Sequence, residues 1–227
     1  GFYPAGEGTA HVVGFTNVDD QGQEGMELVH DQQLKSVAGK KRVIKDRYGR
    51  VVENVERISE PQPGENVVLS IDRRLQYLAY RELKAAVKNN RADSGSLVIL
   101  DVQTGEVLAM VNQPAYNPNN RYKLKSSDLR NRAVTDVFEP GSTIKPFTVA
   151  AALETGKFTA RTSVDVRPGY MKVGRKTIRD FRDYGVIDVS TIIQKSSNVG
   201  ASKLALAISP EHLWNTFASV GLGTDSG

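Results

Sequence analysis

Ser142 and Lys145 stand three residues apart in Phe138-Glu139-Pro140-Gly141-Ser142-Thr143-Ile144-Lys145-Pro146-Phe147, a spacing that lets a hydroxyl and an amine meet. Pro140 and Gly141 interrupt whatever precedes them, Ser142 falls at a helix entrance, and Lys145 lies one turn on along the same face. A serine needs a base to become a nucleophile. A lysine can be that base when an apolar, crowded or positively charged setting leaves part of it neutral. The start of a helix also favours negative charge developing on the serine oxygen and leaves backbone N–H groups free for an oxyanion. A serine in this place is more often a simple N-cap, and Ser-x-x-Lys occurs by chance in many proteins. Pro146, tolerated in a first turn and penalised in a helix interior, agrees with an entrance at Ser142.

A second polar set, Gln194-Lys195-Ser196-Ser197-Asn198-Val199-Gly200, follows the apolar Val189, Ile192 and Ile193. Ser196 and Asn198, at i and i+2, point to one side of an extended or turning segment. Taken alone, this set reads as a polar helix end or turn.

Composition narrows the chemistry. The 227 residues, 25% charged and 39% hydrophobic, describe a globular chain with material for one large core or two smaller ones. Thirty Lys and Arg against 26 Asp and Glu give a formal charge of +4, with the signs interleaved along most of the chain. The one basic cluster, from Lys40 to Arg50, has only Tyr48 as an aromatic, so it reads as a solvated hairpin face and no nucleic-acid partner is expected. With no cysteine, disulfides, thiol catalysis and zinc thiolate sites are excluded. His11, His30 and His212 are too far apart in sequence to form a local metal motif, and no metal site is expected. No run reaches the roughly 18 apolar residues of a membrane span, and the opening Gly1-Phe2-Tyr3-Pro4 lacks signal-peptide character. The chain as it stands is expected to be soluble.

These residues must be positioned by elements that the patterning also predicts. Residues 1–66 read as a separate segment with a helix from Glu24 to Val37, stopped near Gly39, and a hairpin in which Val43-Ile44 and Val51-Val52 flank Asp46-Arg47-Tyr48-Gly49. Pro61-Gln62-Pro63-Gly64 marks a boundary, and residues 67–227 follow as a second domain. That domain opens with a strand over Val67–Ile71, then a helix capped by Asp72 and reaching Asn89, with Leu75, Leu78, Ala79, Leu83, Ala86 and Val87 as its apolar stripe. Leu97–Leu100 and Val107–Val111 predict antiparallel strands, apolar enough that both faces of the sheet should be covered. Residues 113–127 have the composition of a mobile loop.

The combination of Ser142-x-x-Lys145 with Ser196-x-Asn198, 54 residues after the serine, resembles the first two of three signature motifs of penicillin-recognising serine transpeptidases and β-lactamases. Val137 to Ser142, Arg130-Asn131-Arg132, Tyr116 to Asn120 and Lys195 to Gly200 resemble the division-specific class B penicillin-binding proteins of Gram-negative bacteria, the septal peptidoglycan D,D-transpeptidases. Ala10 to Asn17, Gly25-Met26-Glu27 and Lys45 to Arg50 do so in the first segment, so the likeness covers essentially the whole chain.

The resemblance implies an α/β (α+β) fold: an N-terminal pedestal module followed by a penicillin-binding transpeptidase domain, an antiparallel sheet flanked by helices. It implies Ser142 as the acyl-accepting nucleophile, Lys145 as its general base, Ser196 as a proton relay and Asn198 as a hydrogen-bond partner of the substrate amide. The implied partners are peptidoglycan stem peptides ending in D-Ala-D-Ala, β-lactams, and proteins of the division complex. The implied setting is the inner membrane, with the catalytic domain in the periplasm, and no metal or organic cofactor is called for. A β-lactamase fits less well, because the first 66 residues match a pedestal that such hydrolases generally lack.

This sequence departs from the family pattern in three ways. The third motif, Lys-Thr-Gly or Lys-Ser-Gly, does not occur, and the family's membrane helix and part of its non-catalytic region are missing, so the chain is expected to be truncated at both ends. The strand that carries the third motif supplies one oxyanion N–H, a loss of ~3 kcal/mol of transition-state stabilisation. Ser36 also stands where the relatives usually carry glycine. On these grounds the isolated 227 residues are expected to acylate little, with exposed sheet edges and apolar surface that favour association. The alternative function is an interaction module of the division complex without activity of its own.

Overall fold

The computed structural model describes residues 1–122 and 124–225, so Lys123 of the expected loop and the last two residues of the expected second domain lie outside the described residues. The backbone forms two compact units, Gly1–Val137 and Phe138–Gly227. Helices and strands are mixed in both, as the α/β expectation requires, and every strand pair is antiparallel. Among the described residues no helix is long and apolar enough to cross a membrane.

The first unit begins with a 3₁₀ turn at Gly6–Thr9, then α1 (Ala10–Val13), β1 (Phe15–Thr16), β2 (Gly22–Glu24), α2 (Gly25–Val29) and α3 (Asp31–Leu34). The single helix expected over Glu24–Val37 is instead two short ones, broken at His30 (φ −108°, ψ 21°) and finished at Leu34. Leu28 and Val29 are 53% and 70% exposed, so the apolar face buries too little to carry a longer helix. The Asp31 carboxylate also accepts from Gly22 N (2.7 Å), drawing the chain back toward β2. The hairpin forms as expected from β3 (Lys40–Lys45) and β4 (Val51–Ser59). Its turn closes on Asp46 Oδ1, which accepts from Tyr48 N (2.8 Å) and Arg50 N (2.9 Å), with Gly49 at φ +78°.

Asp72 caps α4 (Arg73–Asn89), accepting from Arg74 N (2.8 Å) and Leu75 N (3.0 Å). The helix packs Leu75, Ala79 and Leu83 on Leu97, Ile99, Ala109 and Val111 of β5 (Gly95–Leu100) and β6 (Val107–Gln113). One expectation is corrected here. Residues 67–71 form no strand; Ser70 Oγ donates to Val107 O of β6 (2.8 Å), just before Asp72 N donates to Leu108 O (2.9 Å). The β5–β6 ribbon is covered by α4 on one face; on the other, Asn112 is buried, donating to Asn131 Oδ1 (2.7 Å) and accepting from Ala133 N (2.8 Å), while the Val98 and Leu100 end of β5 stays open at 43% and 53% exposure.

The expected mobile loop is anchored where it is described. Tyr116 is buried and donates its hydroxyl to Ala10 O (2.8 Å), and the Asn119 side chain pairs with both Tyr3 N (2.9 Å) and Tyr3 O (2.8 Å). Two short helices, α5 (Ser126–Leu129) and α6 (Arg132–Thr135), close the unit.

The second unit is helical around a small β frame. A 3₁₀ turn at Gly141–Ile144 leads into α7 (Lys145–Glu154), followed by β7 (Ser163–Asp165), β8 (Tyr170–Val173), β9 (Lys176–Arg179), β10 (Val186–Asp188), α8 (Val189–Lys195), α9 (Asn198–Leu206) and α10 (Pro210–Ser219). β7 pairs with β10, and β8 with β9. The core joins Val149, Ala151 and Ala152 of α7 to Val189 and Ile192 of α8, Ala201 and Leu204 of α9, and Ile208. Ala151 and Ala152, both fully buried, have too little side chain to hold the helices apart. Close packing of α7 on α8 and α9 is what brings the two polar motifs together.

Candidate active site

Ser142 lies one turn ahead of α7, inside the 3₁₀ turn, so the α-helix starts at Lys145 and not at Ser142 as the sequence suggested. Pro146 explains the difference. An α-helical bond to the Ser142 carbonyl would come from the N–H of residue 146, which proline lacks, and the carbonyl accepts from Lys145 N instead. Thr143 reinforces the turn, donating through both N (3.3 Å) and Oγ1 (2.6 Å) to Pro140 O. In a 3₁₀ turn residues i and i+3 eclipse. Ser142 and Lys145 are thereby aligned, with Lys145 Nζ 3.1 Å from Ser142 Oγ.

The lysine is buried and the serine exposed. Lys145 Nζ also reaches Ser196 Oγ (2.9 Å) and Ser196 O (2.5 Å), 51 residues along the chain. Burial lowers the pKa of the Lys145 amine from the usual lysine value, and the Asp180 carboxylate partly opposes this. A neutral amine has two N–H donors and one lone pair. The three oxygens match that set if Ser196 O and Oγ accept while the Ser142 hydroxyl donates.

Ser196 ends α8 in the left-handed conformation (φ 54°, ψ 41°), with its N–H on the carbonyls of Ile192 and Ile193. This backbone costs a residue with a side chain about 1–3 kcal/mol and persists only where the surroundings impose it. Ser197, fully buried, is the N-cap of α9: its Oγ accepts from Gly200 N (2.8 Å) and donates to Asp180 Oδ2 (2.7 Å). Asn198 opens α9 and donates through Nδ2 to Arg179 O (2.7 Å).

Of the four residues singled out in the sequence, Ser142, Lys145 and Ser196 meet at one nitrogen, while the Asn198 side chain engages the end of β9. Asp180 and Ser197 shape the site but carried no expectation. Ser197-x-x-Gly200 could have been read as an N-cap. Asp180, just after β9 and 17 residues before Ser197, carries no local signal.

The description "Penicillin binding protein transpeptidase domain" matches residues 95–227, more than half of the chain. The chain belongs to this family. A second description, "Penicillin-binding Protein dimerisation domain", matches residues 2–69 of the same penicillin-binding chain. It is 49% identical over 222 residues to the peptidoglycan D,D-transpeptidase FtsI of Escherichia coli (strain K12), a match covering 98% of this chain and 37% of that protein. It is 44% identical over 223 residues to the probable peptidoglycan D,D-transpeptidase PenA of Neisseria gonorrhoeae, covering 97% and 38% respectively. This transpeptidase-family chain therefore spans little more than a third of the length of these relatives. Among solved structures, penicillin binding protein 3 from Mycobacterium tuberculosis, complexed with aztreonam, aligns with a TM-score of 0.81 at 30% identity, covering all of this chain and 47% of that one.

Proposed function

We propose that this chain contributes the nucleophile and its base to a peptidoglycan D,D-transpeptidase that works through a serine acyl-enzyme and is blocked covalently by β-lactams. The observation that carries the reading is the contact of one buried amine, Lys145 Nζ, with the Ser142 and Ser196 hydroxyls at 3.1 and 2.9 Å. The identities to FtsI and PenA support the substrate class.

In this reading the Lys145 lone pair takes the proton of Ser142 as Oγ attacks the penultimate D-Ala carbonyl of a stem peptide. The tetrahedral intermediate collapses, the terminal C–N bond breaks, and the departing D-Ala amine receives a proton through Ser196. Asn198 hydrogen-bonds the donor peptide's amide. An amine of a second stem then attacks the ester, gives its proton back through the same relay and releases Ser142 as the cross-link forms. A β-lactam follows the first half: its ring amide acylates Ser142, and the ester persists where water and acceptor amine reach it poorly.

The same reading assigns residues 1–66 to a non-catalytic pedestal and 67–227 to the transpeptidase domain. It places the protein at the division septum among division-complex partners, anchored in the inner membrane with its catalytic part in the periplasm. Intact-mass spectrometry of the full chain carrying this sequence, incubated with a β-lactam, tests the assignment. One adduct is expected, mapped to Ser142 and lost in Ser142→Ala; an adduct that survives in the variant overturns it.

A further inference from the structure

We propose that Asp180 is a positioning residue for acyl transfer, its carboxylate fixing the Ser196–Asn198 turn so that Ser196 meets Lys145. The inference rests on the acyl-transfer reading above and adds a residue to it. Asp180 follows β9 directly and uses both oxygens on the start of α9. Oδ1 accepts from Asn198 N (2.5 Å) and Val199 N (3.0 Å), and Oδ2 accepts from Ser197 Oγ (2.7 Å).

Helix starts leave four N–H groups without intrahelical partners, and a negative charge there is favourable. Ser197 already caps Gly200 N. Asp180 therefore adds more than a cap, because it ties the orientation of the turn to the end of a strand. Asp180 is itself held by its N–H on Gly169 O (2.9 Å), and the neighbouring Arg179 carbonyl takes Asn198 Nδ2 (2.7 Å). Ser196 sits between this anchor and the end of α8, in a left-handed backbone that a serine does not hold unaided. No reacting atom touches Asp180, so its positioning effect passes through Ser196; its charge also favours the protonated Lys145 amine, so removing that charge alone would speed acylation and cannot produce the loss expected below.

Stopped-flow acylation of the full chain by a chromogenic β-lactam, separating non-covalent affinity from the acylation rate constant, tests this. In Asp180→Asn, which keeps one acceptor oxygen, the rate constant is expected to fall about tenfold with the dissociation constant within about twofold; in Asp180→Ala it falls about 100-fold. Asp180→Glu keeps the charge one methylene further out and is expected to acylate no faster than Asp180→Asn. In a Ser196→Ala background the further loss from Asp180→Asn shrinks to about twofold or less, because the positioned hydroxyl is gone. A purely structural role would instead lower the melting temperature and the labelled fraction, with equal losses in both backgrounds, and that pattern overturns the proposal. So does a wild-type rate constant in Asp180→Asn. Absence of any adduct on the unsubstituted chain would overturn the acyl-transfer reading and this inference together.

Discussion

Lys145 Nζ and Ser196 Oγ lie 2.9 Å apart across 51 residues of sequence, and the carbonyl of the same serine is 2.5 Å from the same nitrogen. The amine is thus held by the backbone as well as by a side chain, in a turn whose left-handed serine directs both groups the same way. Burial disfavours the charged amine while the surrounding oxygens give each of its hydrogens a partner. That combination suits a base which must lose its proton before catalysis and stay in place afterwards.

Replacing Lys145 separates charge from basicity. Lys145→Arg keeps a cation that does not deprotonate, and Lys145→Ala removes the group. Both are expected to slow β-lactam acylation of Ser142 by about 10²–10⁴-fold, as followed by adduct mass over time. An arginine variant within about tenfold of the original would show that the cation matters and the base does not.

The pH dependence has a definite sign. Because the folded pKa of Lys145 lies below the usual lysine value of 10.5, acylation should rise with pH through the lowered value and then level off. Burial of the charged amine opposes folding at pH values below the folded pKa, and stability recovers as pH rises from there toward about 10.5. Lys145→Met, which cannot charge, is therefore expected to gain most in melting temperature at neutral pH and to lose that advantage near pH 10. Paired thermal scans across this range check it.

Gly200 of α9 packs directly against Ile192 of α8. A Cβ there would stand 2.6 Å from Ile192 Cγ1 and 2.8 Å from its Cδ1, and Ile192 is fully buried. Gly200→Ala is expected to destabilise by about 1–3 kcal/mol through overpacking, and Ile192→Val, which lacks the δ carbon, should recover part of the loss. Denaturant unfolding of the two single variants and the double variant measures both.

What the sequence revealed depended on how local each determinant was. The α4 boundaries and the β3–β4 turn were legible because Asp72 and Asp46 act within four residues of themselves. The alignment of Ser142 with Lys145 was legible for the same reason, whereas the 3₁₀ form of the helix start depends on the N–H that Pro146 lacks. The helix expected over 24–37 and the strand over 67–71 failed because apolar pattern alone does not say whether a face finds something to cover it. Recognition of Ser196 and Asn198 needed family resemblance, since i, i+2 spacing holds no distance to Lys145. Asp180 was invisible because its three hydrogen-bond partners lie 17–19 residues away.

Gln76 of α4 shows the same limit in the first unit. The apolar stripe read from the sequence passes it by, yet it is only 2% exposed. Its Nε2 donates to Gly8 O (2.7 Å) and Met110 O (2.8 Å), while its Oε1 accepts from Met110 N (2.8 Å). One amide therefore joins the N-terminal turn, α4 and β6. Gln76→Leu preserves much of the volume but leaves those backbone groups without partners, and an orphaned buried polar group costs about 1–3 kcal/mol. A loss of about 2–4 kcal/mol in denaturant unfolding is expected, because more than one group is orphaned. Gln76→Glu, which can still accept from Met110 N but when ionised cannot donate to either carbonyl, should lose stability as pH rises through the carboxyl pKa and be least destabilised in acid. A loss below about 0.5 kcal/mol in Gln76→Leu would mean that water takes over the three bonds and that the amide is not what holds these elements together.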